Sequence, residues 1–278
     1  MIPIKFISTH RADAGHVDPL RVAAEKDQRF QVTDGNRGIV FVQGDRTELL
    51  GEIMSAVADN AVIAHAAGGE RTLGSTDDRV RDALTKLAHL HYPVHQEAKR
   101  RLILLGEEEW RVCVSGEVGV DTIKRFQEVE LPDDIMPIEG DVILAVHPVT
   151  GNPDETRRVL AIARFIAMTS ERAWLVSPNG DPGSDEIEQV WDAICANGGG
   201  RRLGSLTHPQ FLTVMRRCGT IIGNSSCLVT EAPHVGCLPI LIGTRQAGRI
   251  PAPSDGMACQ HILDHMAANY SKARNQKP

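Results

Sequence analysis

Three carboxylates in the first third of the chain sit just beyond apolar runs: Asp45 after GIVFVQG, Glu70 after AVIAHAAGG, and Asp78 a little further on in GSTDDRV. Carboxylates gathered at one place push their pKa values apart, which supplies one base and one acid near neutral pH. Taken singly each has a plainer explanation, since Asp77 and Asp78 suit the dipole of a helix start and Asp45 suits a turn. A second group lies later in the chain. GNSSCLVTEA places Gly223, Asn224, Ser225 and Ser226 between an apolar run and a helical pattern, where small residues let a phosphate approach backbone N–H groups and two hydroxyls add donors. Asn224 or Ser225 would serve equally as a helix cap. Glu231, six residues after Ser225, is placed to accept ribose hydroxyls from the same ligand. His147 in AVHPVTG offers an imidazolium that would neutralise a diphosphate, and Arg245 and Arg249 in RQAGR offer guanidinium groups to phosphate or base.

These residues need elements that bring strand ends together. Short β-rich runs (IKFIS, FQVTD, GIVFVQGD, AVIAHA) alternate with helical patterns near Pro19–Lys26 and from Glu48 to Ala58, which argues for parallel strands joined by crossover helices. Residues 77–91 place Val80, Leu84, Leu87 and Leu90 on one helical face, and RVCVSGEVGVDTI supplies a further strand and a turn. The acidic, proline-containing stretch 128–140 is the linker candidate. Beyond it DVILAVHP, RAWLVSP, GTIIGNSS and CLPILIG are strands, with helices near 154–170, 184–196, 208–217 and 226–235 between them. In SPNGDPGSDEI, Asp181 or Ser184 caps the helix that follows. The fold class is therefore α/β, with domains expected at 1–130 and 131–250 and a C-terminal helix and tail at 251–278. Ligands of parallel sheets bind beyond the carboxyl ends of the strands, where the polar residues above collect.

Composition narrows the classes. The chain has 278 residues, 42% of them hydrophobic, a formal charge of −6 and a pI near 6.0, so it has material for a large core and no overall attraction to nucleic acid or an anionic membrane. No apolar stretch approaches the roughly 20 residues that span a bilayer, and the start shows no signal peptide, so a cytoplasmic location is expected. The six cysteines form no CxxC pair, which points to neither a zinc site nor a disulfide framework.

In order along the chain, RADAG, GDRTE, GGERTLGSTDDRVRDALTKLAHLHY, VSGEVGVDTI, HPVTGN, SPNGDPGS, GNSSCLVTEA and IGTRQAGR resemble the UDP-N-acetylglucosamine 2-epimerase family, especially its hydrolysing branch from sialic-acid and related pathways. The resemblance implies two Rossmann-like domains facing each other across a cleft, the GT-B arrangement. It implies acid/base roles for Asp45, Glu70 and Asp78 with His147, and nucleotide contacts at Arg11, His147, Asn179, Ser225, Ser226, Glu231, Arg245, Gln246 and Arg249. The reaction it implies needs neither metal nor nicotinamide: C2 of the sugar loses a proton as UDP leaves C1, and water adds to the resulting glycal. Two positions depart from the pattern. The chain passes directly from Gly35 to Ile39 where the family has a longer segment, so the N-terminal domain is expected to be abbreviated, and Ala67 stands where the family has a His before GGE. A sheet shortened in this way exposes an edge that a homodimer would cover. Alternatives are another nucleotide or nucleotide-sugar processing enzyme on the same fold, or an inactive nucleotide-binding relic.

Overall fold

The computed structural model describes residues 1–8, 14–72, 77–149, 151–170, 172–251 and 255–276. It has two compact units, one made of Met1–Arg71, Asp77–Thr122 and Ala252–Pro278, the other of Ile123–Pro251 with Thr72–Thr76.

The first unit holds strands β1 (Ile2–Phe6), β2 (Phe30–Val32), β3 (Ile39–Gln43), β4 (Val62–Ala66) and β5 (Leu90–Tyr92), all parallel, in the order β2-β1-β3-β4-β5. Central β3 reads IVFVQ, and Ile39, Val40, Phe41 and Val42 are all fully buried, as a strand covered on both faces requires. Ile39 and Phe41 join Ile4, Leu20, Leu90 and Tyr92 beneath α1 (Ala14–Lys26) and α11 (Ala258–Arg274). Val40 and Val42 join Leu49, Ile53, Ile63 and Leu84 beneath α2 (Leu49–Ala58) and α3 (Asp77–Leu87).

Two expectations are corrected here. The helix read over 77–91 stops at Leu87, because the Ala88 N–H turns back to the Thr85 carbonyl and the His89 N–H donates to Ile63 of β4, which starts β5. The strand read in RVCVSG is reduced to one bridge, Val112 beside His91. Residues Glu109–Arg111 wind into a 3-10 turn instead, and the Arg111 guanidinium donates to the carbonyls of Ala88 and His89. Helices α4 (Gln96–Leu104) and α5 (Val118–Lys124) complete this part.

Parallel neighbours normally need a crossover of a dozen residues or more. Strands β2 and β3 flank β1 on opposite sides, yet only residues 33–38 join them and no helix intervenes. Val32 and Ile39 both lie level with Ile4, so the link moves sideways without returning along the sheet. Asn36 anchors it, accepting from Lys5 Nζ at 3.1 Å and donating to Asp59 Oδ2 at 2.7 Å.

In the second unit, β6 (Val142–Ala145), β7 (Ala173–Val176), β8 (Arg201–Leu203), β9 (Thr220–Gly223) and β10 (Leu238–Leu241) form a parallel sheet in the order β10-β9-β6-β7-β8. Leu144, Val146, Leu175 and Ile222 pack with α6 (Pro153–Thr169) and α7 (Ser184–Ala196), while Ile143, Ala145, Trp174 and Ile221 pack with α8 (His208–Cys218), α9 (Cys227–Thr230) and α10 (Ala232–Val235). The stretch 128–140 lies against this unit: Ile135 is buried in its core, the Val129 N–H donates to Thr213 Oγ1, and Glu128 pairs with Arg217.

Helix α11 returns to the first unit, and its start is fixed there by one side chain. Asp121, buried on α5, accepts from the backbone N–H groups of Ala258 at 2.9 Å and Cys259 at 2.8 Å, so a carboxylate caps two helix-start donors. Replacing Asp121→Ala should cost about 2 kcal/mol of stability. Urea unfolding measures the loss, and hydrogen exchange should show the amides of 258–262 opening first.

Candidate functional site

In the first unit, the loops after β3 and β4 are organised by a buried cation. Arg81 on α3 is 1% exposed, and its guanidinium pairs with both Asp45 and Asp78 and donates to the Glu70 carbonyl at 2.9 Å. Burial works against the charge, but Asp45, Glu70 and Asp78 together raise the Arg81 pKa above its usual value. Asp45 and Asp78 thus converge on a guanidinium rather than only on one another, and their side chains stay about a fifth exposed, at 20% and 24%. Of the three expected carboxylates, those of Asp45 and Asp78 meet on this guanidinium, while Glu70 reaches it through its backbone carbonyl.

The backbone beneath them is equally constrained. His65 of β4 is fully buried; its Nε2 donates to the Gly44 carbonyl at 2.9 Å and its Nδ1 faces Thr85 Oγ1, which holds the turn that carries Asp45. Burial pushes its pKa down to about 4, so the ring is neutral. After β4, Ala67 adopts φ +61 and Gly69 φ +77, and a side chain at Gly69 would collide with the Ala98 carbonyl. Arg101 ties this turn from outside by donating to the Gly69 carbonyl at 3.0 Å. Glu70 is brought by this turn to a largely buried position.

In the second unit the loops after β6, β9 and β10 meet at Asn224, which is 1% exposed. Its side chain accepts from the His147 N–H at 2.7 Å and donates to the His147 carbonyl at 2.9 Å. Its backbone N–H donates to Ala145, and its carbonyl accepts from Arg245 Nη1 and Gln246 Nε2. Gly223 permits the approach: at φ +154, an added Cβ would lie 1.9 Å from the Ala145 carbonyl oxygen. The third loop is fixed from α6, where Glu155 accepts from the Thr244 N–H and hydroxyl. Gln246 is thereby turned inward, Arg249 reaches Gln246 Oε1 at 3.4 Å, and Arg245 also donates to the Pro148 carbonyl and faces Asp181 at 3.7 Å.

His147 Nδ1 accepts from the Asn179 N–H at 3.0 Å, which leaves the ring proton on Nε2. Burial, with nearby Arg245 adding to it, pushes this pKa down to about 4. The expected imidazolium is therefore a neutral ring with one donor free of Nδ1, and the cation beside it is Arg245. Asn179 itself is held between His147 and Asp181, and the Ser184 hydroxyl donates back to the Asn179 and Asp181 carbonyls.

The helix expected over 226–235 is two single turns, α9 and α10, broken at Glu231 (φ −118, ψ −51). Pro233 explains the break, since it lacks the N–H that a continuous helix would send to Val229. The macrodipole argument for Ser225 and Ser226 weakens accordingly. Ser225 is buried and accepts from Cys227 Sγ at 3.2 Å, while Ser226 precedes α9. Glu231 sits at the junction, its Oε1 3.1 Å from His208 Nε2. Arg11 lies outside the described residues. Arg81 and His208 are the residues that motif reasoning passed over, and Asn224, read as a small loop residue or helix cap, is instead the junction of three loops; the available signal for Arg81 was a cation on the inward face defined by Leu84, Thr85 and Ala88.

Two parallel sheets with polar residues gathered beyond their carboxyl ends place the chain among doubly wound α/β proteins. The chain belongs to the UDP-N-acetylglucosamine 2-epimerase family, whose profile matches residues 31–276. It is 29% identical over 221 residues to the GDP/UDP-N,N'-diacetylbacillosamine 2-epimerase (hydrolyzing) of Campylobacter jejuni, a match covering 76% of this chain and 58% of that protein. To polysialic acid biosynthesis protein P7 of Escherichia coli it is 30% identical over 224 residues, covering 77% and 57%. The chain thus spans somewhat more than half the length of these curated relatives. Its fold is similar to S. aureus MnaA solved with UDP, at a TM-score of 0.77 and 17% identity, over 100% of this chain and 99% of that one. Among the described residues, no helix is long and apolar enough to cross a membrane.

The neutral buried rings set a pH dependence. A group whose folded pKa lies below its ordinary value of 6.5 favours the folded state above 6.5, and that contribution is lost as pH falls toward 4. His65 alone should remove on the order of 3 kcal/mol across that window. Chemical denaturation at several pH values measures it, and His65→Gln, which keeps a donor for Gly44 but does not titrate, should flatten the slope.

Proposed function

We propose that the protein is a hydrolysing sugar-nucleotide 2-epimerase that converts UDP-N-acetylglucosamine, or a closely related nucleotide sugar, to the free 2-epimeric sugar and UDP. The observation that carries this is the set of part-exposed carboxylates, Asp45 and Asp78, held on buried Arg81 with Glu70 beside them. Membership of the family and similarity to proteins named as hydrolysing 2-epimerases support it.

In this reading a carboxylate of the first unit takes the C2 proton, the C1–O bond breaks, and its electron pair leaves with the diphosphate. A glycal results. Water then adds its oxygen to C1 while C2 is reprotonated from the opposite face, so the net change is one water consumed and one UDP released. The acid and base roles fall to Asp45, Glu70 and Asp78. His147 donates from Nε2 to the leaving diphosphate, and Arg245 supplies positive charge. Glu231 and the serines at 225 and 226 hold the nucleoside, with Asn179, Gln246 and Arg249 shaping that end. No cofactor takes part in this scheme, and the expected homodimer and cytoplasmic location belong to the same proposal.

Incubation with UDP-N-acetylglucosamine in deuterated water should release UDP and give N-acetylmannosamine with one deuterium at C2. A protein that binds UDP but produces neither product would be a nucleotide-binding protein, and the epimerase reading would fall. Asp45→Asn and Glu70→Gln should each lower kcat by about 100-fold or more while the UDP affinity changes little. Glu231→Ala should do the reverse, weakening UDP binding with a smaller effect on turnover.

A further inference from the structure

His208, in SLTHPQF, belongs to none of the motifs that carry the family resemblance, but its position singles it out. It is the first residue of α8, whose start is fixed by a complete capping box in which Thr207 and Gln210 exchange side-chain and backbone bonds and Pro209 follows at once. The imidazole is therefore carried on a rigid helix start rather than on a loop. Its Nε2 lies 3.1 Å from Glu231 Oε1, and the two side chains are 27% and 12% exposed.

Glu231 needs such a restraint. It occupies the break between two single helical turns, and a glutamate side chain gives up on the order of 1.5–2 kcal/mol of rotamer freedom when fixed in one orientation. The backbone there is already settled, since the Glu231 N–H donates to Cys227 and its carbonyl accepts from His234. Only the carboxylate remains to be aimed. The bond from His208 occupies Oε1, and Oε2 takes no bond among the described residues.

We infer that His208 is a positioning residue that holds the Glu231 carboxylate for a vicinal diol, so that the second unit selects ribonucleotides over 2′-deoxyribonucleotides. This rests on the nucleotide-binding reading above. A ribose 2′,3′-diol presents two adjacent O–H donors, and a carboxylate held in one plane accepts both. A 2′-deoxyribose leaves one carboxylate oxygen without that donor, and the mismatch costs affinity.

The test compares UDP with 2′-deoxy-UDP by calorimetry on the full chain. The native protein should bind UDP about 10-fold more tightly than the deoxy form. His208→Ala should weaken UDP about 5-fold or more and leave 2′-deoxy-UDP within about 2-fold, so that the preference collapses, whereas a residue that only packs would shift both alike. His208→Gln, which restores a side-chain N–H donor, should recover part of the preference, and His208→Ala in a Glu231→Ala background should have no further effect on it. A native preference that survives His208→Ala, or an equal loss for both ligands, overturns the inference while leaving the nucleotide reading intact. Failure of the native protein to bind UDP at all overturns both.

Discussion

The hydrogen-bonding capacity of Asn224 is the constraint on which the second unit depends. One nearly inaccessible amide joins the loops that follow three different strands, bonding both backbone groups of His147 and, through its own carbonyl, Arg245 and Gln246. Burying a backbone N–H or C=O without a partner costs about 1–3 kcal/mol, so loops that pass through the interior at a sheet end need a side chain of this kind. Asn serves because its two donors and one two-lone-pair acceptor complement a peptide unit edge to edge. An aspartate would lose the bond to the His147 carbonyl and put a charge where there is little solvent.

The first unit solves the same problem with a charge. Arg81 reaches three loop or helix-start groups from inside the fold, and it is tolerable there because two carboxylates and a carbonyl surround it. The Asn224 hub is neutral, while the cationic hub at Arg81 holds Asp45 and Asp78 close together against their mutual repulsion. The neutrality of His65 and His147 follows from burial, which disfavours a charged ring, and at His147 nearby Arg245 adds to it.

Much of this was legible in the sequence, for physical reasons that also explain what was not. Buried parallel strands write long apolar runs, so IVFVQ and VILA announced β3 and β6, and the polar residues that end such runs marked the loops where ligands of this fold bind. Strand β8, the three residues RRL with two arginines, carries too little apolar pattern to be seen. RVCV has the composition of a strand, but a neighbouring 3-10 turn and the anchoring of Arg111 decide otherwise. Asp45, Glu70, His147 and Glu231 stood out because their types suggest chemistry. Arg81 and His208 did not, and Asn224 read only as a loop residue or helix cap, because their importance lies in which atoms they reach, and that is a property of three-dimensional arrangement rather than of spacing along the chain.

The division of the core also sets an order of assembly. Every strand and helix of the second unit falls within the continuous run Ile123–Pro251, so its sheet has all its elements available as soon as that run exists. The first unit begins at Met1 but draws Ile262, Leu263 and Met266 of α11 into the same apolar cluster as Ile4 and Leu20, and Asp121 waits for the amides of Ala258 and Cys259. During synthesis the half of the protein made first is therefore the half that closes last. Until α11 arrives, the part of the first unit's sheet face which α1 does not cover stays open to solvent, and the nascent chain carries an unfinished apolar surface.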